Sequence, residues 1–142
     1  MWEPAYDPQL SQMTLEDYAR SPRMEYNWMT RSLNNHWNGD LTREHLDIAK
    51  TIIRRKCLVG LLEEKEESLR RFSTFFHWDR KSRSESKCKD NLLHRMWPNR
   101  KDHEGVEEGS LVWGLLERQN AFDVELYEYA KIIFHEQAAA FL

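Results

Sequence analysis

This 142-residue sequence has two cysteines and no uninterrupted apolar run longer than the six residues of CLVGLL, 57 to 62. A membrane-spanning helix needs about 20 predominantly apolar residues, so no span is expected. Cys57 sits in the apolar run and Cys88 in a basic stretch. That placement predicts one buried and one exposed thiol and excludes a disulfide framework. The six histidines make no His-x-x-x-His, and there is no Cys-x-x-Cys, so a metal site is not expected. Nothing points to a Ser/His/Asp or Cys/His nucleophile. The opening MWEPAYDPQL is acidic and punctuated by proline, without the basic, apolar and small-residue succession of a signal or transit peptide. No internal repeat is visible.

What is present is core material and unevenly spread charge. Hydrophobic residues make up 40% and charged residues 32% of the chain, with six tryptophans, which suits one domain with a real core. The net charge is −3. Residues 77–103 hold eight Lys/Arg against four Asp/Glu, a local excess of +4 that leaves −7 elsewhere. This long basic segment has no clear period, and stretches of that kind are functional loops or disordered.

The periodicities predict mostly helices. Thr14 caps TLEDYA, with Glu16 and Asp17 in its first turn. Met24, Trp28 and Met29 or Leu33 fall at helical spacing before the turn NNHWNGD. The clearest helix runs from the cap Thr42 to the basic end Arg54, Arg55 and Lys56, with Ile48, Ala49, Ile52 and Ile53 on one face. The unalternating CLVGLL that follows predicts a strand covered on both faces. Leu69, Phe72 and Phe76 predict the apolar face of the next helix. Near the end, Asp123 is placed to cap a helix with Leu126, Tyr127, Ala130, Ile133 and Phe134 inward. A buried strand needs neighbours. No other convincing strand is found in the 142 residues.

Three stretches in order, NWMTRSL at 27 to 33, LDIAKTIIRRKCLVGLLEEKEESLRRF at 46 to 72 and NAFDVELYEYAKIIF at 120 to 134, resemble the C-terminal half of a sulfotransferase domain. That family moves a sulfuryl group from 3′-phosphoadenosine 5′-phosphosulfate (PAPS) to a hydroxyl. The pattern is Asn, two or three residues and Arg-x-Leu on a helix, Ala-Lys before a strand of the type Phe/Cys-x-Val-Gly-x-x-Glu, and a closing Asp-x-x-Leu-Tyr-x-x-Ala. The likeness runs through most of the chain and is stronger to Golgi-type carbohydrate sulfotransferases than to cytosolic small-molecule ones. It implies an α/β fold: the C-terminal part of a P-loop-like three-layer architecture, here mostly helical with one core strand at about 57–62, as a single partial domain over 1–142.

The resemblance also implies what these residues lack. Family members hold the 5′-phosphosulfate with a strand–loop–helix lysine and the 3′-phosphate with an Arg and a Ser, and usually place a His or Glu base between them. None of the three appears, and WEPAYDP resembles the segment that follows the 3′-phosphate motif. Sulfuryl transfer depends on positioning and charge neutralisation, so a catalytically incomplete piece of a longer protein is expected. Relatives often carry Thr where Leu62 stands before Glu63. The resemblance places Asn99, Arg100 and Lys101 in a loop that folds over PAPS, and Asn27, Thr30 and Arg31 on a helix facing a substrate cleft, with a carbohydrate hydroxyl as acceptor. Solvated or structural roles compete at each of these positions, and Trp28, Trp97 and Trp113 read as core or cleft wall. Gly60 reads as a close-packing position, and Glu63 as a first-turn helix acid or a family position. No nucleic-acid partner is expected. The Golgi address of the resembled enzymes comes from an anchor not seen here. A different class remains open: a non-catalytic helical module that binds a partner through 77–103.

Overall fold

The computed structural model describes residues 7–78 and 105–141. Seven helices appear among them: α1 (Pro8–Ser11), α2 (Leu15–Arg20), α3 (Trp28–Asn34), α4 (Arg43–Lys56), α5 (Lys65–Phe75), α6 (Leu111–Gln119) and α7 (Ala121–Gln137), closed by a 3-10 turn at Ala138–Phe141. The expected caps are in place at α2 and α4. Thr14 Oγ1 accepts from Asp17 N–H at 3.1 Å, and His45 Nδ1 reaches back to Thr42 N–H at 3.0 Å. The basic run Arg54–Lys56 ends α4, where the carbonyl-rich terminus favours positive charge.

The core forms where α4 packs along α7 with α3 across both. Leu46, Ala49 and Ile53 of α4 meet Leu126, Ile133 and Phe134 of α7, and Val59 and Leu61 complete the cluster. The face predicted for α4 is thus rotated: Ala49 and Ile53 are buried, Ile52 is half-buried, and Ile48 lies exposed.

The α/β expectation is overturned, because the described residues contain no strand. Residues 57–61 follow α4 as neither helix nor strand, and Cys57 itself is extended, with φ −113° and ψ 136°. No ladder forms on them. Side chains answer their backbone instead: Gln137 accepts from Val59 N–H at 3.0 Å and donates to Cys57 C=O at 2.9 Å. Ser68 Oγ accepts from Leu61 N–H at 2.9 Å and donates to Leu61 C=O at 3.0 Å. An amide and a hydroxyl thus do part of what a neighbouring strand would do. The apolar run correctly signalled burial, since Val59 and Leu61 are inside, but burial alone cannot tell a strand from an extended connector. Leu62, at 75% exposed, already lies outside.

Helix α5 reverses the expected polarity. Ser68, Arg71 and Ser73 are buried, Leu69 and Phe72 are half-buried and Phe76 is exposed. Arg71 can be inside because a carboxylate, a carbonyl and a ring face answer it: Nε donates to Glu67 at 2.7 Å, Nη1 donates to Phe134 C=O, and the guanidinium carbon sits 3.8 Å from the centre of the Phe134 ring. Arg70 and Arg71 together hold the Glu67 carboxyl down to about 2.

Candidate functional site

The three residues expected to face a cleft separate into two roles. Asn27 and Thr30 are structural, engaged in reciprocal capping of α3 and α7. Asn27 holds a left-handed φ of 49° at the start of α3, and its side chain turns away from its own helix. Its Oδ1 accepts from Phe122 N–H at 2.9 Å and Asp123 N–H at 3.1 Å, the first-turn donors of α7. In return Asp123 accepts from Met29 N–H and Thr30 N–H, both at 2.8 Å, and from the Thr30 hydroxyl at 2.6 Å. Asp123 is therefore a helix cap, as its position suggested, but of α3 instead of its own helix. Asn27 also donates from Nδ2 to Gln119 C=O at 2.8 Å, and its N–H donates to Asn120 Oδ1 at 2.9 Å. Thr30 is fully buried. Neither Asn27 nor Thr30 is free to meet a ligand.

Arg31 does open onto a cavity. A concavity of about 310 Å³ is lined by Glu25, Tyr26, Trp28, Arg31, Trp37, Asn38 and Gly39. The turn NNHWNGD builds its far wall. Asn35, with φ 50°, ends α3, and its Oδ1 accepts from Trp37 Nε1 at 3.2 Å, which orients the indole. Gly39, with φ 81°, bends the chain back in a conformation that strains any residue with a Cβ. Trp28 and Trp37 face each other with ring centres 5.8 Å apart at 60°, yet 51% of Trp28 and 49% of Trp37 remain exposed. Exposed indoles held in place by neighbouring groups suit a binding wall better than a core.

Only 7% of Arg31 is exposed. Its Nε donates to Tyr26 C=O at 3.2 Å, its Nη1 donates to His36 C=O at 3.3 Å and Gly39 C=O at 3.1 Å, and its guanidinium carbon lies 4.6 Å from the Tyr26 ring centre. These partners are dipoles and a π face; among the described residues no carboxylate pairs with it. Nη2 donates to no described group, while the only buried side-chain nitrogen or oxygen without a partner among the described residues is His36 Nε2. Nη2 is therefore not fully buried, and Arg31 is among the residues that line the cavity. The charge is nearly desolvated, so its field is weakly screened there.

The sequence missed most of this site. Tyr26 and Trp37 carried no functional expectation, although a signal existed: aromatic residues flank a single polar helix turn on both sides, Trp37 next to an Asn-Gly bend. A second depression of about 480 Å³ lies between α1 and α2, but its carboxylate, Asp7, is already paired with Arg23 and with two backbone N–H groups.

Glu63 belongs to the turn before α5, outside the helix, and accepts from the Tyr127 hydroxyl at 2.6 Å; that bond lowers the carboxyl and pushes the phenol up to about 12. Gly60 is a close-packing position: a Cβ there would stand 2.6 Å from Phe72 Cζ and 3.2 Å from Ser68 Cβ. Trp113 is partly exposed on α6, and Cys57 is a free, half-buried thiol. Asn99, Arg100, Lys101, Trp97 and Cys88 lie outside the described residues, as does most of the 77–103 segment. Among the described residues no group of three His, Cys, Asp or Glu could hold a metal ion, and no helix is long and apolar enough to cross a membrane. No family model, curated protein or solved structure matches the chain.

Proposed function

We propose that this chain is the acceptor-holding part of a PAPS-dependent sulfuryl-transfer protein and that the acceptor is a carbohydrate hydroxyl. The observation that carries the reading is the cavity of Tyr26, Trp28 and Trp37. The C–H faces of a sugar ring are apolar and rest on indoles, while its rim hydroxyls need donors and acceptors, which Glu25, Asn38 and Arg31 offer. The ordered resemblance of 27 to 33, 46 to 72 and 120 to 134 to carbohydrate sulfotransferases supports the same acceptor class.

The cavity itself does not suit PAPS. It offers one cation, where a nucleotide with anionic groups at two ends asks for several. PAPS contacts are assigned, on the resemblance alone, to Asn99, Arg100 and Lys101, and residues 1–142 are expected to bind acceptor without catalysing transfer unaided. Tryptophan fluorescence with a neutral tetrasaccharide tests the acceptor half: quenching is expected, and Trp37→Ala removes it. Calorimetry with PAP (3′-phosphoadenosine 5′-phosphate) on the wild type and on Arg100→Ala with Lys101→Ala tests the nucleotide half. Heat that disappears in the variants supports those contacts; no heat from any of the three withdraws them.

A further inference from the structure

We propose that the aromatic end of α5 is a docking surface for an anionic phospholipid bilayer: Phe75, Phe76 and Trp78 enter the headgroup boundary, and the basic residues that follow them in the chain meet the lipid phosphates. The proposal concerns protruding rings, not a cavity, and is independent of the saccharide reading.

Large apolar side chains scattered singly over a surface need no explanation, but three within four residues do. Phe75, Phe76 and Trp78 are 58%, 49% and 56% exposed, and none belongs to the core cluster. Their protrusion is built into the backbone. Helix α5 ends in a Schellman turn, in which Trp78 N–H donates to Ser73 C=O at 2.9 Å and His77 N–H donates to Thr74 C=O at 3.3 Å. His77 takes the left-handed position of that turn, with φ 54°, where glycine is usual because a Cβ is strained. The turn swings Trp78 back onto Phe76, with ring centres 4.8 Å apart and planes 19° from parallel, and Phe75 meets Phe76 edge-on at 5.0 Å. The three rings make one contiguous apolar patch.

Charge decides what the patch meets. Glu63, Glu64, Glu66 and Glu67 stand at the start of α5, and the rings stand at its other end, about 16 Å away for a helix of this length. Beyond Trp78 the sequence turns basic, with Arg80, Lys81, Arg83, Lys87 and Lys89 against Asp79 and Glu85. Consecutive Cα atoms are about 3.8 Å apart, so Arg80 and Lys81 lie within about 8 and 11 Å of Trp78 whatever path the chain takes, near one screening length in physiological salt. An anionic leaflet attracts such residues and seats exposed aromatic rings at its boundary. It repels the acidic start of α5, which orients the contact. Single-stranded nucleic acid shares the charge requirement but not the ring geometry: bases stack on open ring faces, and Phe76 and Trp78 already cover one face of each other. A bilayer asks only for exposed apolar surface beside positive charge.

The test is flotation of the whole chain with vesicles of phosphatidylcholine alone or with about 30% phosphatidylserine, on the wild type, Trp78→Phe and the double variant Phe76→Ala with Trp78→Ala. The wild type should partition onto the anionic vesicles about tenfold better than onto the neutral ones, and the advantage should shrink as salt rises. The double variant should lose about tenfold in partitioning, scored only if its melting temperature stays near the wild type. Vesicles with brominated acyl chains should quench the tryptophan fluorescence of the wild type, and Trp78→Phe, which keeps a ring, should still float but be quenched less. That measurement decides alone should the double variant unfold. No flotation, equal flotation with neutral vesicles, or anionic binding whose quenching ignores the change at position 78 overturns the proposal. So does binding of oligothymidylate that the double variant loses while vesicles leave the chain behind, which would make the patch a platform for bases.

Discussion

Two regions that share helix α3 treat polar groups in opposite ways. At the junction with α7, Asn27, Thr30 and Asp123 share three hydrogen bonds among themselves and make three more to Met29 N–H, Phe122 N–H and Gln119 C=O. On the cavity side, Arg31 Nη2 and the Glu25 carboxylate find no partner among the described residues, and two indoles stand half in solvent. Polar residues at helical spacing are equally plausible as scaffold or as site, and the difference lies in whether the protein itself supplies the partner. Asn27 and Thr30 are answered from within. Arg31 is answered only in part.

The comparison breaks most visibly at Asp123. Asp123→Ala removes three acceptor contacts and strands the first-turn N–H groups of α3, and should lower unfolding free energy by about 3 kcal/mol in urea denaturation. A loss below about 1 kcal/mol would show the reciprocal caps to be ornamental. Gly60→Ala comes next. Its Cβ meets the Phe72 ring, which must swing aside, at a cost of about 1–2 kcal/mol in the same assay. A neutral result would mean that α5 does not press on the extended connector.

The sequence announced helices through caps and periods, and these held at Thr14, Thr42 and the basic end of α4 because local chemistry decides them. The connector 57–61 could not be read the same way. Its apolar run reports burial, whereas Gln137 and Ser68, far away or on the next helix, decide that its backbone needs no ladder. Helix α5 misled for a related reason: Arg71 is buried through partners on α7 that no local pattern reveals. For the candidate cavity, the resemblance named Arg31, whereas Trp37 depends on the Asn35 turn that brings it across from Trp28.

Two smaller effects sharpen the contrast through pH. The carboxyl of Glu67, held at about 2 by Arg70 and Arg71, lies below its ordinary 4.5. The stabilisation it lends is therefore present above pH 4.5 and is lost as pH falls toward 2. Glu67→Gln should flatten that acid limb of a stability-against-pH curve, and an unchanged limb would remove this cluster from the account. Tyr127 is the weakest probe. Its phenol should ionise near 12 in an ultraviolet titration, later than an ordinary tyrosine at 10, and Glu63→Gln should return it toward 10. The bond favours folding below pH 10 and is lost as pH rises through 12.

The central claim, that the incompletely answered side of α3 is where a saccharide rests, is met most directly by the indole N–H signals in a proton–nitrogen spectrum during titration with the neutral tetrasaccharide. The account predicts that the signals of Trp28 and Trp37 shift together and saturably while that of Trp113 on α6 stays in place. Stationary Trp28 and Trp37 signals at millimolar saccharide, or shifts confined to Trp113 or Trp78, would contradict it.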